Sequence, residues 1–519
     1  MSRYVVIGGG VSGLAAARLL AGASPVSDSD AGAPADGGRP GDTAGRQVVL
    51  LEASGRLGGK ILTGTFSGAP VELGPDQFLR RDPSAERLCR HLGLGDDLVE
   101  PSAGSAAVLA GGRPRKLPTG LVLGIPTDLD ALERSGIVGQ AAVDFAGGDA
   151  ERPGAVLEAA DVGLETHGEC DGDEPARERS AGAILRPRLG DEIVDRLVDP
   201  LIGGINAGSI DELSLGTVAP QVARLLVGHR DVIAPLAAAM SVVAVRAHPE
   251  QATSTHPEPV GERRTSPFFG LAGGLGRVVS GLQTELEELG CDVRLECPAL
   301  RIRAVQDGGT YVVETPGGEI AADGIVVALP AQAAARLLEA VVPEVTAHLQ
   351  TISYGSVAVV TFALDRALPA ALEGWSGVLV PRAEGTVMTA LTLLSQKWPW
   401  MSSGTAEGPL VRVSAGRYLD GRIDALGDEE LCRALARELA HVIGATVSVS
   451  DSLVQRWSEA FPQYAPGHGA HMRTVKRLLG QRPGLALAGA ALGGIGIPAC
   501  ITSGERAAEV VSASVTAAA

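Results

Sequence analysis

Gly8, Gly10 and Gly13 stand at G-x-G-x-x-G spacing within Ile7–Leu14 (IGGGVSGL). Glycines in this pattern give a tight turn, a backbone that an anion can approach closely, and a helix that can pack hard on a strand. The chemistry implied is the holding of a dinucleotide pyrophosphate at a helix N-terminus by Gly8, Gly9, Gly10, Val11, Ser12, Gly13 and Leu14. Glu52, at the end of the apolar run Gln47–Leu51, is a carboxylate placed to accept the ribose hydroxyls of an adenosine half. Gly55-Arg56-Leu57-Gly58-Gly59-Lys60 follows, where backbone N–H groups and the Lys60 cation can meet the same pyrophosphate from its other side, or make an ordinary turn. Asp76, in Gly74-Pro75-Asp76-Gln77-Phe78, sits at a rigid Gly-Pro corner suited to lie against a flat ring; an ordinary turn aspartate is the other reading.

These residues need a strand, a turn and a helix in that order. Tyr4–Ile7 is a β-prone run, and Leu14–Leu20 (LAAARLL) is a strong helix former. Glu52 lies 39 positions beyond Gly13, where the motif expects roughly 20. The excess falls in 22–46, a Gly/Pro/Asp/Ser/Ala stretch without apolar period, which reads as a loop insertion. Similar Gly/Pro/acid-rich stretches at about 147–180 and 248–265 read as disordered or solvated. Farther on, Gly290–Glu296 and Tyr311–Thr315 read as strands of a hairpin unit, and Ile325–Pro330 as an apolar parallel-type strand. Val357–Leu364 reads as a strand, Glu429–Val442 as a helix, and 111–205 as mainly helical. The fold class is α/β, with a Rossmann-like dinucleotide-binding part, and 519 residues imply more than one core.

A net charge of −17 with no basic run argues against nucleic acid and anionic membrane as partners. The six cysteines include no C-x-x-C and no zinc spacing, so no metal is expected, and they read as reduced, mostly buried thiols of a cytoplasmic protein. The glycines of the N-terminal apolar stretch argue against a signal peptide, and the glycines and proline of Pro483–Gly504 argue against a membrane helix, so no transmembrane span is expected. The histidines, among them His91, His229, His348, His441, His468 and His471, are scattered and make poor catalytic candidates.

GGGVSGLAAARLL, VVLLEASGRLGGKI and ELGPDQF, with Gly493–Ala508 (GGIGIPACITSGERAA) at the far end, resemble in type and order the FAD-containing amine oxidase and protoporphyrinogen oxidase superfamily. Val194–Gly208 (VDRLVDPLIGGINAG), followed by Leu213-Ser214, and PFFGLAGGLGRVV from Pro267 narrow the resemblance to the porphyrinogen oxidases of heme synthesis. Leu123–Thr127 (LGIPT), Gln396–Pro399 (QKWP) and Trp457–Tyr464 (WSEAFPQY) are most similar to the bacterial coproporphyrinogen III oxidases, which form coproporphyrin III.

The resemblance implies FAD, held by the residues above together with Ala53, Val293 (whose backbone meets adenine), Trp457, and Gly496, Ile497 and Pro498, where a helix N-terminus would cap the flavin. It implies a discontinuous architecture. FAD-binding segments fall at 1–80, 267–335 and 455–519, substrate-domain segments at 81–110, 206–266 and 336–454, and a helical subdomain at 111–205. The reaction implied is hydride removal from a porphyrinogen to flavin, six electrons in three cycles, with dioxygen reduced to peroxide. Asp76 is the candidate polar group facing the reacting centre, and Arg80, Arg81 and Lys397 are candidate partners for propionates, although any one of them reads equally as a solvated charge. A transient contact with the next heme-pathway enzyme is a further implied partner. Protoporphyrinogen IX oxidation is the alternative. A flavin amine oxidase is disfavoured because Leu485–Gly504 contains no aromatic residue to cage an amine, and a carotenoid desaturase because no amphipathic entry helix is evident. A non-enzymatic prenyl-GTPase escort protein would be expected to carry degraded glycine motifs, and here they are intact.

Overall fold

The computed structural model describes residues 2–24, 45–164, 177–247, 266–305, 310–401 and 408–518. Most of the expected loop insertion at 22–46, the middle of 147–180 and all of 248–265 lie outside them. The chain divides into two compact units, Met1–Pro101 with Pro267–Ser353 and Ala470–Ala519, and Ser102–Ser266 with Tyr354–Gly469.

The first unit is built on a five-stranded parallel sheet. Its strands run, edge to edge, Asp292–Arg294, Arg46–Leu51, Ser2–Ile7, Gly324–Val327 and Leu485–Leu487. The chain winds outward from Ser2–Ile7 to one side and later returns on the other, so the order reverses beside that strand. In an open parallel sheet this reversal makes a crevice at the carboxyl ends of the strands. Ile7, Leu51, Arg294, Val327 and Leu487 come into register at that edge. Helices Val11–Leu20 and Ile497–Ala518 pack together; a Cβ on Gly504 would fall 2.0 Å from the Ser12 carbonyl oxygen, so only glycine lets these two backbones approach so closely.

Helix Val11–Leu20 is tied to helix Gly276–Glu288 by buried Arg18, whose Nε lies 2.7 Å from Glu285 Oε2, while His91 Nε2 lies 2.9 Å from Glu285 Oε1. Burial alone would raise Glu285, but the His91 hydrogen bond and the Arg18 guanidinium outweigh it and hold the carboxyl below its ordinary 4.5. A carboxyl lowered by folding stabilises the native state above the unfolded value, and that stabilisation is lost as pH falls through the folded value. Acid unfolding below about pH 4.5 is therefore expected to be shallower in Glu285→Gln than in the parent, read as Tm against pH; parallel curves would remove Glu285 from the acid response.

The second unit carries a seven-stranded mixed sheet in the order Val449–Pro462, Tyr354–Leu364, Leu410–Ala415, Met388–Thr392, Trp375–Leu379, Ser105–Ala110 and Arg113–Lys116. Its one parallel pairing joins Trp375–Leu379 to Ser105–Ala110. Helix Asp428–Ile443 buries Leu431, Leu435, Leu439 and Val442, a stripe at helical spacing, in the core of this sheet. A second core is helical, joining Leu129–Ser135, Gln140–Gly147, Ala181–Leu189 and the wider-wound Val194–Gly203. In that wide turn Pro200 has no N–H to give, and Gly204 N donates to Asp199 O five residues back at 2.9 Å.

The units divide the chain differently from the expected segments. Residues 81–101 fall in the first unit because helix Ser84–His91 puts Ala85, Leu88 and Cys89 into its core. Residues 336–353 join the same unit, and 455–469 belong to the second, on and after strand Val449–Pro462. The stretch 111–205 opens with strands Arg113–Lys116, Leu121–Val122 and Ile125–Pro126 before its helices begin. The expected hairpin does not form. Asp292–Arg294 pairs in parallel with Arg46–Leu51, while Tyr311–Thr315 pairs antiparallel with Arg301–Ala304 and Gly318–Ala322. Among the described residues no helix is long and apolar enough to cross a membrane.

Candidate functional site

The first sheet delivers the expected residues to one edge. Gly8 takes φ +106°, and a Cβ there would meet the Ala328 carbonyl oxygen at 2.5 Å, so the turn passes tightly over the end of Gly324–Val327. A Cβ on Gly13 would fall 1.8 Å from Gly8 O, whereas one on Gly10 would meet nothing within 4 Å. Thus Gly13 is filled by protein, and the space over Gly10 is open. Gly10 caps helix Val11–Leu20 with no side-chain hydrogen bond, leaving its N-terminus available to an anion.

Glu52 stands beside this turn. Its Oε2 accepts from Gly9 N at 2.7 Å, and its Oε1 accepts from Ser54 N at 2.8 Å and Ser54 Oγ at 2.7 Å. Glu52 N in turn donates to Arg294 O at 2.9 Å, which sets the edge strand carrying Val293 alongside, and exposed Ala53 follows. The carboxylate is thereby fixed between the glycine turn and Ser54, next to the edge strand Asp292–Arg294. Glu52→Ala is expected to weaken FAD by about 1 to 3 kcal/mol, the worth of charge-assisted hydrogen bonds. Titration of apoprotein with FAD measures this, and unchanged affinity would put the ribose partner elsewhere.

The second glycine segment stacks on the first. Gly58 bridges to Gly10 in parallel fashion, its N donates to Gly9 O at 2.8 Å, and a Cβ on Gly59 would lie 3.1 Å from Gly10 Cα. The Gly-Pro corner comes to the same place, since a Cβ on Gly74 would lie 1.9 Å from Lys60 O and Leu73 N donates to Leu62 O at 2.9 Å. Burial pulls the Lys60 ammonium below its ordinary value, with the Cys500 sulfur opposing, although the residue as a whole is exposed to solvent.

Cys500, on the first turns of helix Ile497–Ala518, is raised by burial and drawn back by a Ser12 hydrogen bond and the Lys60 charge. Its N donates to Gly496 O at 3.0 Å. Gly496, Ile497 and Pro498 therefore come to the N-terminus of the first helix and to Lys60. The sequence marked Cys500 only as one of several buried thiols, and nothing in its spacing pointed to Ser12. Asp76 is buried, and Gln77 is half-buried with its Oε1 enclosed.

Other expected residues are placed differently. Arg80 is held by Glu100, Nη1 to Oε1 2.8 Å, and lies 4.6 Å over the Phe269 ring; Arg81 is exposed. Lys397 is buried in the second unit, its Nζ 5.3 Å over the Trp398 ring. Trp457 is also in the second unit, on Val449–Pro462 opposite Val357, rather than among the segments that carry the other cofactor-directed residues.

The glycine cradle, the ribose-side carboxylate and the two converging helix N-termini fit an adenine dinucleotide with a flavin ring. The model of the flavin-containing amine oxidoreductases matches residues 11–512. The chain is 32% identical to a coproporphyrinogen III oxidase of Mycobacterium leprae over 99% of this chain and 98% of that one. It is 29% identical to the enzyme of that name from Bacillus subtilis, covering 97% and 96%, and 28% identical to human protoporphyrinogen oxidase, covering 97% of each. A crystal structure from Exiguobacterium sp. 255-15, assigned as a protoporphyrinogen oxidase, superposes with a TM-score of 0.77 at 28% identity over 99% of both chains. Cyclohexylamine oxidase from Brevibacterium oxydans shares the fold, with a TM-score of 0.63 at 18% identity over 100% of this chain and 99% of that one. The chain belongs to the flavin-containing amine oxidoreductase family, with FAD as its cofactor.

Proposed function

We propose that this chain oxidises coproporphyrinogen III to coproporphyrin III in heme biosynthesis, passing electrons to FAD and onward to dioxygen with release of peroxide. The observation that carries the reading is the 32% identity to a coproporphyrinogen III oxidase over nearly the whole of both chains, on a first unit whose crevice fits the cofactor. The N-terminus of Val11–Leu20, Gly58, Gly59 and Lys60 would hold the pyrophosphate, Glu52 the ribose, and the backbone at Val293 the adenine. The Gly74–Gln77 corner and the N-terminus of Ile497–Ala518 would flank the flavin ring. Bound flavin supplies a two-electron acceptor. A porphyrinogen is already reduced, so the protein's task is to orient the macrocycle; Asp76 is the polar group proposed to face its reacting carbon.

Of the expected cations, Arg80 pairs with Glu100 and Lys397 is buried over the Trp398 ring; a propionate partner is proposed among them. A cytoplasmic location, and a transient contact with the enzyme that takes the product, belong to the same proposal. The test is anaerobic mixing of the FAD-loaded protein with coproporphyrinogen III. The flavin absorbance should bleach and return on admission of air, with coproporphyrin fluorescence rising. A flavin that stays oxidised would refute the reading.

A further inference from the structure

Two histidines that lie far apart in the chain meet in the first unit. His348 stands near the end of helix Pro343–Gln350 and His471 near the start of helix His468–Gly480, with ring centres 5.3 Å apart and ring planes tilted by 59°. Both residues are half-buried, so solvent reaches the pair. Two imidazoles bound to one tetrahedral zinc, at Zn–N distances of about 2.0 to 2.1 Å, have their centres about 5 Å apart. A bare tilted ring contact falls in the same range, so the spacing fits a shared ion without demanding one.

The hydrogen bonds around the pair go further. Thr351 Oγ1 donates its one proton to His348 O at 2.8 Å and stands 3.1 Å from His471 Nδ1. With that proton spent, the hydroxyl oxygen accepts from His471, which therefore carries its proton on Nδ1 and a lone pair on Nε2. Metal-bound histidines are held in this way, a second group taking the outer N–H and fixing the ring as a ligand. Neither ring nitrogen of His348 has a hydrogen-bond partner among the described residues. Burial, then the charges of His471 and Arg477, hold His348 below its ordinary 6.5, which leaves it neutral at pH 7. Arg477 opposes a cation here, while Glu344, one turn before His348, puts a carboxylate on the same helix face. Among the described residues no group of three His, Cys, Asp or Glu side chains could hold an ion, so water must complete the shell.

We propose that His348 and His471 bind one divalent first-row transition-metal ion of the zinc type, with Thr351 orienting the second ligand. The cysteine and histidine spacing of the chain does not announce such a site, because its ligands come from separate helices. His348 and Thr351 stand just before the chain leaves the first unit at Ser353, and His471 just after it returns at Ala470. An ion held there ties the outgoing segment to the returning one and stabilises the first unit by binding only its folded form. The site is independent of which porphyrinogen the chain oxidises.

The test is calorimetric titration of the untagged, FAD-loaded protein with ZnCl2, NiCl2 and MgCl2, beside Tm with and without each ion. One Zn²⁺ or Ni²⁺ per chain should bind and raise Tm, and Mg²⁺, which prefers oxygen ligands, should do neither. His348→Phe and His471→Phe keep a pair of aromatic rings and remove one nitrogen ligand; each should abolish this binding with FAD content unchanged. Thr351→Val leaves both imidazoles in place and should weaken binding by about tenfold or more, and it carries the test if a phenylalanine variant fails to fold. His441→Phe, at an exposed histidine of the second unit, should bind as the parent does. A parent that takes up no zinc or nickel would overturn the site, and so would binding that survives in both paired variants or is lost equally in His441→Phe.

Discussion

Gly13→Ala is expected to yield protein that retains almost no FAD. The new Cβ would stand 1.8 Å from Gly8 O and 3.0 Å from Gly8 C, and both are backbone atoms that no side-chain rotation can move. Strand Ser2–Ile7 and helix Val11–Leu20 would have to separate, at a cost of about 1 to 3 kcal/mol or more, and the turn would lose the shape that presents its N–H groups. A hundredfold weaker FAD, about 2.7 kcal/mol, is the minimum expected. Gly10→Ala separates folding from binding, because its Cβ meets nothing within 4 Å and its φ of −70° suits alanine. The Gly10 variant should match the parent's Tm as apoprotein and still bind FAD poorly, its methyl group standing in the open space. Flavin-to-protein ratio after desalting, with Tm of the apoproteins, reads both outcomes. A Gly13 variant with full flavin would mean that the cofactor does not lie on this turn.

Asp149→Ala should be the most damaging single change in the second unit that touches no proposed ligand. Asp149 is 2% exposed; its Oδ1 takes Arg188 Nε at 2.7 Å, and its Oδ2 takes Val232 N at 2.6 Å and Ile233 N at 3.1 Å. One carboxylate thus neutralises a buried arginine and satisfies two N–H groups at the start of helix Ile233–Ala247. Its removal leaves the Arg188 charge alone in the interior and should cost about 3 to 5 kcal/mol. Asp149→Ala combined with Arg188→Met should recover only part, since the N–H groups stay unpaired. Denaturant titration measures both, and a loss below about 1 kcal/mol would show that water replaces the carboxylate.

What could be read from the sequence is what backbone geometry demands locally. The turn from Gly8 to Gly13 was legible because only glycine can occupy Gly8 and Gly13 as the chain passes. Glu52 was legible because a carboxylate at a strand end belongs to the same unit, and the long gap before it could be discounted by composition. Pairing was not legible. Asp292–Arg294 is too short to name its neighbour, and its place beside Arg46–Leu51 depends on strands far away in the chain. Nor could the apolar face of Ser84–His91 say which core it enters. Lys60, Ser12 and Cys500 converge because two helix N-termini meet, and no spacing in the chain encodes that.

Substrate preference, measured as kcat/KM for coproporphyrinogen III and protoporphyrinogen IX on the same FAD-loaded preparation under equal oxygen and detergent, bears on the whole reading. Coproporphyrinogen III offers two more propionates, and each shielded carboxylate–cation pair is worth about 1.5 to 3 kcal/mol. Vinyl groups in their place would leave cations unpaired, a penalty larger than the apolar gain. The tetracarboxylate should win by at least about tenfold, with coproporphyrin III and peroxide as products. Equal or higher kcat/KM for protoporphyrinogen IX would move the chain to the other porphyrinogen oxidation.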